Sequence, residues 1–170
     1  MATSGQAVWI TDSCSLIQLK SVPHAIRGQV VTHLNGLVAA SRLIYPKQVL
    51  AELKGYAPAK DLKNDLPYTW ANGHAATACH PEALMVEAKL ILKAHRDLIE
   101  ADATTSGKDP ADPYLVALAQ KLRGEGVDAR IVTDDHRQIN NKVSVAAVAG
   151  VLGVPSTVMR IFLRGEGYQY

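Results

Sequence analysis

Residues 8–17, Val8-Trp9-Ile10-Thr11-Asp12-Ser13-Cys14-Ser15-Leu16-Ile17, constrain the fold more than any other stretch. A β-branched and aromatic run, which suits a pleated interior, stops at an acid flanked by hydroxyls and resumes as an apolar helix start. A strand over Val8–Ile10 therefore feeds a helix beginning at Ser13 to Leu19, with Ser13 as a good N-cap. Ligands of open α/β sheets bind beyond the carboxyl ends of strands. Asp12 is thus either a helix cap or a metal ligand.

The same alternation continues down the chain. Pro23 opens a helix whose apolar positions Ile26, Val30, Val31, Leu34, Leu37 and Val38 recur at helical spacing. Arg42–Tyr45 is a short strand, and Pro46 stands at N1 of the next helix, with Val49, Leu50 and Leu53 on one face. Glu52 lies beside Leu53 and is able to turn toward a crevice mouth. Ala57–Pro81 is less regular. Lys54, Lys60 and Lys63 cluster near its start, and Tyr68 and Trp70 follow. Such a segment could track a nucleic-acid backbone and stack a base, but a solvated helix with two partly buried aromatics is the preferred reading.

Pro81–Ala101 is the clearest helix, with Leu84, Ala88, Ile91, Leu92, Leu98 and Ile99 opposite Lys89, Lys93 and Arg96. Ala103–Lys108 is a small-residue loop containing Thr104, Thr105, Ser106 and Gly107. Asp109-Pro110-Ala111-Asp112-Pro113 begins a helix running to about Arg123, because prolines this close are tolerated in a first turn. Asp109 and Asp112 then sit where the helix dipole favours negative charge, and Gly124 and Gly126 end the helix. Val127–Thr133 is a central strand that closes on Asp134-Asp135. A loop rich in Asn and Lys leads to apolar Val143–Val151, and Ser156 caps a last helix to Leu163. Without an internal repeat or linker, residues 1–170 form a single domain.

Strands alternating with helices imply a mainly parallel sheet covered on both faces. Asp12 and Asp134-Asp135 then share its carboxyl edge, and the helices bearing Glu52 and Asp112 can bring those acids to the same mouth. Crowded carboxylates raise one another's pKa, and a hard divalent cation relieves the repulsion. Mg²⁺ and Mn²⁺ take oxygen ligands. One ion, or two about 3.5–4 Å apart, can activate water and stabilise the leaving oxygen of a phosphodiester. For any single acid, a cap or turn role is at least an even match. Two strands that end in acid, plus an Asp at a helix start, weigh toward a shared site.

Other chemistry finds little support. There is no G-x-x-x-x-G-K loop and no G-x-G-x-x-G after the first strand. Cys14 fits a small buried thiol better than a nucleophile. The six histidines show no zinc spacing, and His136 is best taken as a solvated loop residue. A hydrophobic content of 48% with 20% charged residues belongs to a folded chain. No apolar run approaches the roughly 20 residues of a membrane helix, and no secretory signal is visible. Two cysteines suit a reducing cytoplasm. The net charge of +2 permits a nucleic-acid partner without demanding one.

Four segments, taken in order, resemble the acidic motifs of PIN-domain nucleases. They are Ile10-Thr11-Asp12-Ser13-Cys14-Ser15-Leu16-Ile17, Val49-Leu50-Ala51-Glu52-Leu53, Ala111-Asp112-Pro113-Tyr114-Leu115-Val116-Ala117-Leu118-Ala119 and Ile131-Val132-Thr133-Asp134-Asp135. The Asp-Pro-aromatic-Leu form of the third is similar to a bacterial and archaeal PIN subgroup of otherwise unassigned function. The resemblance implies a three-layer α/β/α fold with a mainly parallel central sheet. It also implies Mg²⁺- or Mn²⁺-dependent endoribonuclease activity, often as the toxin of a type II toxin–antitoxin pair, with a cognate antitoxin and a homodimer as ordinary partners. Asp12, Glu52 and Asp112 carry over as catalytic, metal-binding acids. The fourth is Asp135, which fits Thr-x-Asp, or Asp134, which follows Thr133 directly. Ser13 and Ser15 stand where the family orients its first Asp, and Thr133 is a further supporting hydroxyl. Lys54, Lys60 and Lys63 would guide RNA. The rival readings are an inactive PIN-fold scaffold that binds RNA or protein, and a phosphohydrolase of small esters. The segment Ala57–Ala101 is longer than in the smallest family members.

Overall fold

A computed structural model describes residues 6–82, 84–99, 109–135 and 142–170. The strands are β1 (Val8–Thr11), β2 (Leu43–Pro46), β3 (Cys79–His80), β4 (Ala129–Val132) and β5 (Ser156–Thr157). They pair in the order β3-β2-β1-β4-β5, and every pairing is parallel. The helices among the described residues are α1 (Ser13–Ile17), α2 (His24–Ala39), α3 (Lys47–Tyr56), α4 (Leu66–Gly73), α5 (Ala75–Ala78), α6 (Met85–Ala94), α7 (Asp112–Gly124), α8 (Val145–Val151) and α9 (Met159–Gly165). The architecture is three-layer α/β/α around a parallel sheet, as the sequence implies.

A sheet covered on both faces needs strands apolar on both faces. On one face, Val8 and Ile10 in β1, Pro46 in β2, and Ala129 and Ile131 in β4 are accordingly buried, and Ile44 is partly buried against the core. On the other, Thr11, Leu43, Tyr45 and Val132 are buried and Trp9 is partly buried against the core. α7 goes further. Its residues Pro113 to Ala119 are buried without interruption, and it packs on β1, β2, β4, α6 and α8. A helix apolar on all sides has to be enclosed on all sides.

Several expected boundaries move. Asp12, not Ser13, caps α1. Pro46 closes β2 with an extended backbone and precedes α3 instead of starting it. α7 begins at Asp112, so Asp109 and Pro110 lie ahead of the helix. The helix expected over 81–101 is shorter: His95 leaves helical geometry, and a 3-10 turn, Arg96–Leu98, follows. Ser156 belongs to β5, not to a helix cap. The open edge of β4 recruits this stretch, with Ile131 N–H donating to the Pro155 carbonyl (2.9 Å) and Thr133 N–H to Thr157 (2.8 Å). The loop expected over 103–108, the end of the 81–101 segment and His136 lie outside the described residues. Among those residues, no helix is long and apolar enough to cross a membrane.

Candidate active site

The chain leaves β1 toward β2 and β3 on one side, while β4 and β5 lie on the other. The carboxyl ends of β1 and β4 therefore flank a topological switch point, where such sheets form their ligand crevice. The register pairs Thr11 with Val132, which sets Asp12 and Thr133 opposite each other one step beyond. Asp12 N–H donates to the Val132 carbonyl (3.2 Å), and the Thr133 hydroxyl donates to Asp12 Oδ2 (2.5 Å). The Ser15 amide donates to Asp12 Oδ1 (2.6 Å). Asp12 is 2% exposed. Burial pushes its carboxyl up to about 7 against the opposing pull of the Thr133 and Ser15 bonds.

Glu52 projects from α3 into the same region. Its Oε2 accepts the Ser13 hydroxyl (2.5 Å), and its Oε1 accepts the Ala111 amide (2.8 Å) just ahead of α7. Asp112, the first residue of α7, is pushed up to about 6 by burial; Lys142 opposes the rise, and Glu52 and Asp135 add to it. Lys142 Nζ lies 2.8 Å from Asp112 Oδ2 and 3.2 Å from Asp135 Oδ2. Burial works against the Lys142 charge, but Asp112 and Asp135 together hold its pKa above the usual lysine range.

The two candidates for the fourth acid are now distinct. Asp135 joins Asp112 through Lys142 and also accepts the Val145 amide (3.2 Å). Asp134 turns elsewhere, accepting the Ser15 hydroxyl (2.8 Å) and the Met159 amide at the start of α9 (3.1 Å). The expected serine roles change as well. The Ser13 hydroxyl orients Glu52. The Ser15 hydroxyl bonds Asp134 and also favours the charged form of Asp12, which Thr133 and the Ser15 backbone hold.

Cys14 stands among the acids, between Ser13 and Ser15 in α1. It is exposed, not buried as the sequence suggests. Yet its sulfur is crowded enough that lost solvation, followed by the charges of Asp12, Asp112, Asp135 and Glu52, holds the thiol up to about 12. Such a thiol stays protonated at neutral pH and is a poor nucleophile.

Two residues that sequence reasoning missed belong here. Lys142 sat in what looked like a polar loop, and nothing local marks it as a partner of acids. Tyr56 lies one helical turn beyond Glu52 on the same face of α3, and that spacing could have revealed it. Its side chain is 64% exposed, and burial of its hydroxyl, then the charge of Glu52, raises its pKa. Lys54 is exposed in the last turn of α3, and Lys60 and Lys63 are exposed between α3 and α4. Among the described residues, no ion pair joins these lysines to the acids. Trp70 is buried and donates to Asn35 Oδ1 (2.8 Å), and Tyr68 is half-buried, so the preferred packing role holds for both.

The donor set is all oxygen and suits Mg²⁺ or Mn²⁺. Its present arrangement is closed: among the described residues, no three His, Cys, Asp or Glu side chains gather round one point as a metal requires. The carboxylate oxygens are spent on the chain's own amides and hydroxyls, and the Lys142 ammonium stands in as the cation.

Fold and site define a class, the parallel α/β proteins with an acid cluster at the switch point. Residues 9–170 match the family described as Domain of unknown function (DUF4411), and the chain belongs to that family. No curated protein matches it.

Proposed function

We propose that this chain is a PIN-like, Mg²⁺- or Mn²⁺-dependent endoribonuclease, acting in the cytoplasm as the toxin of a type II toxin–antitoxin pair. The observation that carries the reading is that Asp12, Glu52, Asp112 and Asp135, from four separate segments, are tied together beyond β1 and β4: Ser13, next to Asp12, bonds Glu52, Glu52 bonds the Ala111 amide beside Asp112, and Lys142 joins Asp112 to Asp135. Two of them are buried deeply enough to be held at about 7 and about 6. Interior acids of this kind cost stability, and an exposed helix cap does not need them. The order and type of the four acidic motifs support the same reading, and the antitoxin and homodimer partners follow from that resemblance.

Asp12, Glu52 and Asp112, with Asp135, would hold the cation, whose contribution when bound is activation of water and stabilisation of charge at the scissile phosphate. The remaining residues position these acids. Thr133 and the Ser15 amide fix Asp12, and Ser13 fixes Glu52. Glu52 in turn braces the start of α7 and so locates Asp112. Tyr56 offers an exposed ring on which a base can stack, and Lys54, Lys60 and Lys63 supply exposed positive charge nearby along the chain.

The test is cleavage of RNA by the purified chain with Mn²⁺. Asp12→Asn should abolish it while leaving the circular dichroism spectrum intact, and unchanged cleavage overturns the proposal. Running single-stranded DNA and a small phosphate ester in parallel separates a nuclease from a phosphatase of small esters.

A second reading, an inactive scaffold binding RNA or protein, is favoured by the fact that the acids are already satisfied by the chain's own donors. It predicts binding that is the same with Mn²⁺ and with chelator.

A further inference from the structure

Lys142 is no wandering surface lysine. The Val143 amide donates to the Asp97 carbonyl (2.6 Å), Ser144 caps α8, and the Val145 amide is held by Asp135. These bonds fix the backbone that follows Lys142, and its side chain is 20% exposed against 15% for each acid it meets. Ordering a long side chain costs conformational entropy. Here that ordering places one positive charge between two carboxylates that would otherwise repel each other. Asp12 and Glu52 remain nearby without a cation of their own among the described residues. The cluster keeps a surplus of negative charge, and part of its attraction for a cation is already used by the chain itself.

A divalent ion taking the same oxygens of Asp112 and Asp135 would stand against an ammonium at close range, where like charges repel strongly. The two cannot share the position. The lysine stem is flexible, and its side chain is 20% exposed, so it has somewhere to go.

We propose that Lys142 is a resident cation that keeps Asp112 and Asp135 closed, and that a divalent metal ion enters only by displacing its ammonium. This rests on the metal-dependent reading of the site and gives that site a built-in gate.

The experiment is Mn²⁺ binding to the full chain, by calorimetry and electron paramagnetic resonance, for the unaltered protein and for Lys142→Met, Lys142→Gln and Lys142→Arg. The Met and Gln variants should bind Mn²⁺ more tightly by roughly tenfold, a size usual for coupled sites. The Arg variant keeps the cation and should stay near the unaltered value. Equal or weaker binding by both Met and Gln variants overturns the gate while leaving the metal site standing. No Mn²⁺ binding by any form overturns the metal reading, and the gate with it. The unaltered chain provides a check that does not depend on how the variants fold. Saturating Mn²⁺ should raise amine labelling of Lys142, read by mass spectrometry, and no rise under Mn²⁺ that is shown to bind overturns the displacement.

Discussion

Asp12 is pulled in opposite directions. As the cap of α1 it accepts bonds that favour its charged form, while burial favours the neutral one and prevails. Between the ordinary carboxyl value of 3.8 and about 7, the folded chain keeps a proton that the unfolded chain has released. The unfolded state binds fewer protons there, so stability falls as pH rises through that window. Asp112 adds to the fall up to about 6. Metal-free protein should therefore be more stable at pH 5 than at pH 8, by on the order of 3 kcal/mol, in urea unfolding. Asp12→Asn keeps a cap oxygen and should flatten much of that slope; an equal slope in the variant would sink the assignment to Asp12. Asp12, Glu52 and Asp112 were legible because a strand end, an apolar helix face and a proline-marked helix start each leave a local signature. The hydroxyl pairings were not. Ser13 adjoins Asp12 in sequence but spends its hydroxyl on Glu52, 39 residues away, and only the packing of α1 on α3 creates that pair. Ser13→Ala should weaken Mn²⁺ binding by roughly tenfold, as loss of a bond to a ligand usually does, with little change in the unfolding midpoint.

Among the elements, α7 bears the heaviest packing. Leu115 is fully buried within it, and Leu115→Ala should cost about 2–5 kcal/mol in urea unfolding. A loss under about 1 kcal/mol would mean that α7 is less enclosed than described. Long elements with proline and glycine punctuation, such as α2 and α7, could be read directly. β3 and β5 could not, because two residues carry no period; only the partner strand makes them strands. The 81–101 helix was overextended for the opposite reason. Its apolar spacing runs through His95, but the backbone turns there and Leu98 reaches the core from a 3-10 turn instead.

For the molecule as a whole, strand order decides where chemistry can happen. The order β3-β2-β1-β4-β5 leaves a divide between β1 and β4; Asp12, Asp134 and Asp135 follow those two strands directly, and α3 and α7 supply Glu52 and Asp112. Under the proposed toxin role, induced expression should arrest bacterial growth and the Asp12→Asn variant should not. Growth that continues while the soluble, folded chain accumulates would count against that role. The parallel order was implied by alternating strands and helices, but the divide depends on which neighbours β1 takes, and no local pattern encodes that.

The enclosure of α7 also sets a clock. Amides in a helical stretch buried on every side, as Pro113–Ala119 is, exchange with solvent only when the whole protein opens. In deuterium exchange the segment Leu115–Ala119 should be among the last to label. Asp112 is mounted at one end of that slowest unit, whereas Lys142 precedes a short helix, α8, whose Val151 is 76% exposed. The two members of this ion pair are thus attached to helices of different length and enclosure, and the lysine side is expected to exchange first.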